Sequence, residues 1–400
     1  MAPVTGGTQA VLDRWRGTIA DTYGTPAMVL VRGRGAEVWD VEGNRYLDLL
    51  AGIAVNALGH AHPAVIEAVT TQLGTLGHTS NLAATIPGIA LAEQLLGLAG
   101  RPGRVFFANS GAEANEAAFK LSRLTGRTTI VAAEGSFHGR TAAALSLTGQ
   151  PAKRAPFEPL VPGVAFVPYG DAAAIAAVVD ESVAAVVLEP IQGEGGVVMP
   201  PDGYLMAVQQ ACRRVGALFI LDEVQTGIGR TGSWFAYQRE PALAPDAITL
   251  AKGLGGGLPI GALVAFGDAG DLWGPGMHGS TFGGNPVSCA AALAVLQVIK
   301  EQGLADHAVA VGGYLRECLA ATPGVVAVRG AGLLLGVVLA PDVDAKAVEV
   351  QARTHGVIVN AIGASVIRLA PPLNLTLDQA DEAMAVLNAV IRRLGAGVAG

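Results

Sequence analysis

Seven short, almost uninterrupted apolar segments follow one another through the middle of the chain, with helical patterns between several of them. The apolar segments are residues 105–108, 129–133, 164–168, 184–188, 217–221, 247–250 and 262–266. Continuous runs of this kind are typical of strands that are buried on both faces, as in parallel sheets covered by helices. Helical patterns at residues 113–125, 171–179 and 204–215 complete the alternation. The sequence therefore predicts an α/β fold, with a mostly parallel central sheet of seven strands and helices on both faces.

The pattern changes after residue 300, where shorter strands and helices indicate a smaller α+β domain. A long helix is predicted at 286–301, strands at 325–329, 333–338, 357–360 and 366–369, and helices at 345–355 and 377–394. No Ser- or Pro-rich linker separates the parts, so we expect them to pack closely. We divide the chain into an N-terminal segment, 1–60, that packs with the small domain, a large domain, 61–300, and the C-terminal small domain, 301–400.

Charge and hydropathy argue against several classes of protein. The chain has 26 basic and 33 acidic residues, a net charge of −7, and no cluster of Lys or Arg. We therefore expect neither a nucleic-acid groove nor a membrane-binding surface. Mean hydropathy is +0.45, but no apolar run reaches the roughly 18 residues of a membrane helix. The first 17 residues lack an apolar segment, and the three cysteines are not spaced as a disulfide framework or metal site. We expect a reduced, cytoplasmic protein without a bound metal.

Lys252 stands out among the chain's five lysines because of its local sequence. It ends an apolar run, residues 247–251, and precedes the glycine-rich segment 253–257. Burial at a strand end would lower the pKa of its amine and make it a better imine former. The alternative is a lysine on a flexible loop whose amine extends into solvent.

Two further segments could supply groups to the same crevice. Asp222 directly follows the apolar run 218–221, and carboxylates at the carboxyl ends of strands face the crevice where α/β sheets bind ligands. Residues 109–115 follow a predicted strand and open a helix, whose free amides at Gly111 and Ala112 could bind an anion. The alternatives are an aspartate that caps a helix or turn, and an ordinary capped helix without a ligand.

Together these segments offer an imine-forming amine, a carboxylate and a phosphate cradle. Pyridoxal 5′-phosphate needs these three groups, for its aldehyde, its ring nitrogen and its phosphate respectively. The sequence therefore predicts this cofactor.

The same segments resemble the class III (ω-amino-acid) aminotransferases of fold type I. Six motifs carry the resemblance, in the order that the family has them. They are residues 109–116 (NSGAEANE), 136–141 (SFHGRT), 192–196 (QGEGG), 221–232 (LDEVQTGIGRTG), 251–262 (AKGLGGGLPIGA) and 278–286 (HGSTFGGNP). Several independent motifs in order are far more specific than any one of them.

The resemblance implies a set of cofactor-binding residues. Lys252 would form the imine and move the proton, and Asp222 would pair with the pyridine nitrogen. The remaining contacts would be Val224 and Phe137 on the two ring faces, Gln225 at the 3′-oxygen, and Gly111, Ala112 and Thr281 at the phosphate. Thr281 would come from the neighbouring subunit, so the resemblance also implies a homodimer with shared active sites.

The resemblance assigns substrate contacts as well. Arg140 would bind the α-carboxylate of an acylated ornithine or the distal carboxylate of glutamate, and Arg368 the α-carboxylate of glutamate. Glu194 would pair with Arg368 while the ω-amine substrate is bound. Ser280 and Tyr23 would lie near the substrate and the pocket entrance. Alternatively, Arg140 pairs with a loop carboxylate and Arg368 braces the small domain.

The implied reaction is transamination of N2-acetyl-L-ornithine with 2-oxoglutarate in arginine biosynthesis, giving N-acetyl-L-glutamate 5-semialdehyde and L-glutamate. Gly52 would leave room for the acetyl group, unless it is only a turn glycine. The alternatives are an ornithine, 4-aminobutyrate or succinylated-amine aminotransferase, an aminomutase, or a catalytically silent homologue. Retention of Lys252 and Asp222 argues against the silent homologue.

Overall fold

The computed structural model describes residues 7–396 of the chain. The helices are α1 Thr8–Thr18, α2 Ala51–Ala54, α3 Pro63–Thr75, α4 Ile86–Ala99, α5 Gly111–Arg123, α6 Ala142–Leu147, α7 Pro151–Arg154, α8 Ala172–Val178, α9 Tyr204–Val215, α10 Pro286–Glu301, α11 Leu304–Ala320, α12 Ala345–Thr354 and α13 Leu377–Ala396. The strands are β1 Leu30–Arg34, β2 Glu37–Asp40, β3 Arg45–Asp48, β4 Gly103–Ala108, β5 Thr129–Ala133, β6 Val164–Val167, β7 Val183–Leu188, β8 Leu218–Asp222, β9 Ala247–Leu250, β10 Gly261–Phe266, β11 Val325–Ala331, β12 Leu334–Leu339, β13 Val357–Ile358, β14 Asn360–Ile362 and β15 Val366–Leu369.

A mostly parallel sheet of seven strands forms the centre of the molecule, which confirms the predicted fold class. Its order is β4-β10-β9-β8-β7-β5-β6. Only β10 runs against its neighbours, β4 and β9, and the other four pairings are parallel. Along β8, Phe219 and Leu221 pack into one apolar core and Ile220 into another. Successive side chains point to opposite faces of a strand, so both faces need apolar residues, and the run is continuous.

The register of this sheet brings polar residues to one edge. Asp222 at the end of β8 lies opposite Thr249 in β9. Lys252 follows Thr249 by three positions in the chain. Leu188 at the end of β7 lies opposite Leu221, so Glu189 emerges beside Asp222. Because β7, β8 and β9 are parallel, all these side chains reach the carboxyl edge of the sheet, where ligands bind in open α/β sheets.

The C-terminal part contains the predicted small sheet, but with one difference. The expected single strand at 357–360 is wrong: β13 pairs in parallel with β3 of the N-terminal sheet, whereas β14 pairs with β15. Two different strands, β3 and β15, pair with successive parts of this segment. Its apolar pattern does not show that it changes partner after Ile358. The N-terminal strands are thereby joined to the C-terminal part. The division of the chain at residues 60 and 300 stays a prediction.

Helix α11 was missing from the predicted elements, although α10 and α13 match their predictions closely. Within residues 7–396 no single helix is long and apolar enough to cross a membrane. Only α10 and α11 together pass such a test by length and composition, and they are bent by 66° at the break between them. Cys212 and Cys289 are buried in the core, and both thiols are free.

Candidate active site

A cavity of about 400 Å³ opens at the carboxyl edge of the central sheet. Nine of the residues singled out in the sequence line it. They are Gly111, Ala112, Phe137, Arg140, Glu194, Asp222, Val224, Gln225 and Lys252. These residues come from five of the six sequence motifs. Strand order and register bring them together, since most of the motifs begin where a strand of the sheet ends.

Asp222 is buried on the floor of this pocket and is held by three hydrogen bonds. Its Oδ2 accepts from Asn115 Nδ2 at 2.8 Å and faces His138 Nδ1 at 2.7 Å. Its Oδ1 accepts from the Val224 amide at 3.0 Å. These three contacts fix the orientation of the carboxylate toward the pocket.

Sequence reasoning missed His138, which is the ionic partner of Asp222. Burial lowers the pKa of His138, but the hydrogen bond and charge of Asp222, together with the charge of Glu189, raise it above its ordinary value. Its Nε2 is buried with no hydrogen-bond partner in the described chain. The signal was available, because His138 lies between Phe137 and Arg140 in one motif.

Asn115 was also missed, although it lies within a quoted motif. Its Nδ2 bridges Asp222 and the carbonyl of His138, the latter at 2.7 Å. Its Oδ1 accepts from Thr249 Oγ1 at 2.8 Å. A helix residue at this position therefore joins α5 to β9 beneath the pocket. The residue type was visible in the sequence, but its buried partners were not.

Lys252 begins a 3₁₀ turn, Lys252–Gly255, directly beyond β9. Its φ is +41°, in the left-handed region that side chains other than glycine rarely adopt. Burial lowers the pKa of its amine, Glu194 and Asp222 act in the opposite direction, and Arg368 adds to the lowering. Within residues 7–396 the amine makes no salt bridge. A lysine held in this way is poised to react as a neutral amine.

The start of helix α5 forms one wall of the pocket. Ser110 caps it by accepting a hydrogen bond from the Glu113 amide at 3.1 Å. The first amides of the helix, at Gly111 and Ala112, border the pocket and form a natural anion site. A side chain at Gly111 would place its Cβ 2.8 Å from Val224 Cγ1. The two segments therefore approach each other as closely as they do because residue 111 is glycine.

Glu189 joins two walls of the pocket and was not predicted. It is buried, and its carboxylate accepts from the Phe137 and Gly193 amides, each at 3.1 Å. Burial raises its pKa to about 7, partly offset by the charge of His138. The Glu189 side chain thus holds the Phe137 turn and the loop before Glu194 in fixed positions. It lies one residue past β7, just as Asp222 ends β8, and that position was the available signal.

Arg368 lies behind the pocket wall and is only 1 % exposed. Its guanidinium binds Glu194 closely, Gln225 Oε1 at 3.1 Å and Asn360 Oδ1 at 2.7 Å. Its Nε is buried without a hydrogen-bond partner among the described residues. Burial opposes ionisation of Glu194, but the charge and hydrogen bond of Arg368 hold its pKa below the usual range. The pair is therefore ionic, and the Nε–H of Arg368 has no acceptor among the described residues.

Arg140 differs from Arg368 because it is exposed at the mouth of the pocket. Its guanidinium carbon lies 5.6 Å from the centroid of the Phe137 ring. In the described part of the chain it forms no salt bridge. The alternative that it pairs with a loop carboxylate therefore finds no support in the structure.

Five predicted residues do not line the pocket: Arg368, which lies behind its wall, and Ser280, Thr281, Tyr23 and Gly52. Ser280 Oγ accepts from Asn109 Nδ2 at 3.2 Å and so lies beside the start of the 109–116 motif. Thr281 is exposed. Tyr23 is 90 % exposed. Gly52 is exposed too, and Val55 lines the pocket instead. Gly52 has a φ of +64° within α2, a left-handed turn, so its backbone conformation explains the glycine without a pocket.

Comparison with known proteins decides the family. The aminotransferase class-III family matches residues 18–391 of the chain. The acetylornithine aminotransferase of Mycolicibacterium smegmatis is 59 % identical over 380 residues, which cover 94 % of this chain and 97 % of the relative. The chain belongs to the class-III aminotransferases. It is therefore an enzyme of the aminotransferase type.

Solved structures place this aminotransferase among the same proteins. The ornithine aminotransferase of Toxoplasma gondii superposes with a TM-score of 0.93 and 33 % identity, over 98 % of this chain and 96 % of that one. The acetylornithine aminotransferase of Elizabethkingia anophelis has a TM-score of 0.87 and 34 % identity, over 97 % and 100 % of the two chains.

The pocket of this aminotransferase fits the cofactor that its sequence predicts. It combines a buried lysine that makes no salt bridge within residues 7–396, an aspartate held by three hydrogen bonds and a helix start that borders the cavity. These are the groups that an aldehyde, a ring nitrogen and a phosphate require.

Proposed function

We propose that this aminotransferase binds pyridoxal 5′-phosphate and transfers the amino group of N2-acetyl-L-ornithine to 2-oxoglutarate. The products are N-acetyl-L-glutamate 5-semialdehyde and L-glutamate, and the reaction belongs to arginine biosynthesis. The observation that carries the proposal is the buried Arg368–Glu194 pair behind the pocket wall, together with Arg140 at the pocket mouth, which makes no salt bridge within residues 7–396. Such a site can accept a dicarboxylate in one half-reaction and a substrate with a distal amine in the other.

The cofactor would be held by the residues that the pocket brings together. The Gly111 and Ala112 amides would bind its phosphate, and Gln225 would hydrogen-bond its 3′-oxygen. Val224 and Phe137 would contact the two faces of its ring. When bound, pyridoxal phosphate supplies an electron sink for cleavage of a bond at the carbon that carries the amine. Asp222 would maintain that capacity by pairing with the ring nitrogen, and its three hydrogen bonds hold it in position to do so.

Lys252 would both attach the cofactor and move the proton. Its amine must be neutral to attack a carbonyl or to accept a proton, and burial favours that form. Because no carboxylate of the described chain pairs with it, the amine stays available. We therefore assign the proton transfer between the substrate carbon and the cofactor to this one residue.

Substrate carboxylates would meet the two arginines. Arg368 would bind the α-carboxylate of glutamate after Glu194 releases it, and Arg140 would bind the carboxylate at the far end. Such a planar, always charged guanidinium suits a carboxylate because it donates two parallel hydrogen bonds. When acetylornithine occupies the site, Glu194 stays on Arg368 and neutralises it. Ser280 and Tyr23 would complete the substrate region and its entrance.

We also propose that the active unit is a homodimer in the cytoplasm. Thr281 is exposed in the single chain, as expected for a residue that reaches the phosphate of a neighbouring subunit. Ser280 next to it is anchored to Asn109 and to the Gly283 amide, at 3.2 and 2.9 Å. These contacts would fix the loop that carries Thr281.

A panel of amine donors tests the proposed reaction. With 2-oxoglutarate as acceptor, we expect kcat/KM to be highest for N2-acetyl-L-ornithine, lower for ornithine and lowest for 4-aminobutyrate. Arg140 can hold the free carboxylate of the first, whereas 4-aminobutyrate lacks the α-substituents that would contact the pocket. Steady-state rates for each donor decide the ranking. If ornithine, 4-aminobutyrate or a succinylated amine is preferred, the proposed donor is wrong.

Glu194→Gln should separate the two half-reactions. The amide cannot neutralise Arg368, whose guanidinium is buried, so a free positive charge remains where acetylornithine brings no carboxylate. We expect the half-reaction with acetylornithine to slow by about 30-fold or more, since an unpaired buried charge costs about 2–5 kcal/mol. The half-reaction with glutamate should change much less, because its carboxylate pairs with Arg368.

Stopped-flow absorbance on each half-reaction provides the measurement. Glu181→Gln is the matched control, since Glu181 is exposed and precedes β7, at the opposite end of that strand from the pocket. It should leave both half-reactions unchanged. Equal losses in both half-reactions of Glu194→Gln would contradict the charge switch.

A further inference from the structure

Lys153 lies beside the active site, although none of the six sequence motifs contains it. It belongs to the short helix α7 and is half-buried. Its Nζ lies 5.0 Å from the centroid of the Phe137 ring, and its side chain bonds to Gln150 Oε1. Arg140 approaches the same ring, at 5.6 Å from the centroid. Two cations therefore lie near one aromatic ring that lines the pocket, with Arg140 at the pocket mouth and Lys153 just outside the lining.

The position of Lys153 relative to this ring is fixed by the backbone. The Gly135 amide donates to the Gly149 carbonyl at 2.8 Å, and the Gly149 amide donates to Ser136 Oγ at 2.9 Å. Gln150 Nε2 also donates to the Gly135 carbonyl at 3.1 Å. The turn that carries Phe137 and the segment that leads into α7 thus form one rigid unit. A mobile lysine on a free loop would have no such connection.

The charges around the pocket are unevenly paired. Asp222 is paired with His138, and Glu194 with Arg368. Glu189 accepts hydrogen bonds from two backbone amides, and burial raises its pKa to about 7. Neither Arg140 nor Lys153 has a salt bridge to any carboxylate between residues 7 and 396.

The partial burial of Lys153 disfavours its positive charge. Burial lowers the pKa of Lys153, the charge of Glu194 raises it, and the charges of Arg140 and Arg368 lower it further. Lys153 is half-buried and close enough to Arg140 for the two positive charges to repel each other, so both would gain from a negatively charged ligand.

We infer that Lys153 and Arg140 together bind the distal carboxylate of the dicarboxylate substrate, with Lys153 acting as a specificity-determining second cation. This inference rests on the proposed function, because that function supplies the dicarboxylates 2-oxoglutarate and glutamate. In this arrangement Arg140 donates at the pocket mouth, and Lys153 adds a second positive charge near the same Phe137 ring. A carboxylate is the group that two unpaired cations favour most.

The test measures the binding of glutarate, a dicarboxylate that does not react, to the cofactor-loaded enzyme by calorimetry. Lys153→Met removes the charge and keeps the length of the side chain, so we expect Kd to rise about tenfold. Lys153→Arg keeps the charge and should stay within about threefold of the parent protein. Lys300→Met removes an exposed lysine on α10 and should leave Kd unchanged.

The dissociation constant of the cofactor provides the second readout. If Lys153 only holds the Phe137 ring against the cofactor, Lys153→Met would weaken cofactor binding as much as glutarate binding, and that result would overturn the inference. Unchanged glutarate binding in Lys153→Met would overturn it too. The donor panel decides the proposed function separately, because it is measured on the parent protein. A different preferred donor would leave the glutarate comparison valid.

Discussion

Lys252→Ala should lower turnover by about 10⁴-fold or more while the protein remains folded. The amine is needed twice, to attach the cofactor and to carry the proton, and proton transfer alone contributes about 10²–10⁴-fold. Its removal breaks no salt bridge in the part of the chain that the structure describes. It also takes away a group whose pKa is lowered because burial disfavours its charge. The thermal midpoint should therefore fall little, if at all.

Steady-state turnover, thermal unfolding and the visible absorption of the bound cofactor provide the measurements. Lys300→Ala, at an exposed position of α10, is the matched control and should behave as the parent protein does. Methylamine at high concentration should restore part of the activity of Lys252→Ala, because the small amine fits the space that the side chain leaves. Turnover of the variant near that of the parent protein would exclude Lys252 from the chemistry.

Asp222→Asn should lower turnover by about 10³-fold. The neutral amide cannot keep the ring nitrogen of the cofactor protonated, and loss of such a buried charged contact costs about 2–5 kcal/mol. The geometry adds a second effect. Oδ2 faces donors from Asn115 and His138, and Oδ1 faces the Val224 amide. An amide offers one acceptor oxygen, so its NH₂ group must face another donor in either orientation.

The turnover number and the cofactor dissociation constant should therefore both change in Asp222→Asn. Asp246→Asn is the matched control, since Asp246 precedes β9, at the opposite end of the sheet, and accepts from the Phe219 amide at 2.7 Å. It should alter stability, because the Asp246 carboxylate is a hydrogen-bond acceptor, but leave the turnover number close to that of the parent protein. A mild effect of Asp222→Asn on turnover, together with normal cofactor retention, would contradict the assigned role.

Local sequence was sufficient for the central sheet because its inner strands are buried on both faces. Such a strand needs apolar residues at consecutive positions, as β7 and β8 have, and this pattern is visible without knowledge of the neighbours. Helix α9 begins and ends at the predicted residues for a similar reason, since its apolar stripe and the following Gly216 are local signals. Short motifs at strand ends then indicated Lys252, Asp222 and Gly111, whose setting depends on residues next to them in the chain.

Partners that are distant in the chain were not accessible in this way. His138 lies 84 positions from Asp222, and Asn115 lies 107 positions from it. A buried histidine and an exposed one have the same local sequence, so only the packed structure showed which carboxylate raises the pKa of His138. The same holds for Glu189, whose two amide donors come from separate loops.

The sequence by itself determined the fold class and singled out Lys252 and Asp222 as candidate site residues, because both inferences depend on local apolar patterns and short motifs. Tertiary structure alone decided that residues 357–362 divide between two sheets, that Gly52 lies outside the pocket, and that Lys153 and Arg140 lie near the Phe137 ring. These features depend on which strands pair with each other and on which charged groups lie together in the folded protein. Both are determined by contacts between residues far apart in the chain, which a local sequence pattern does not contain.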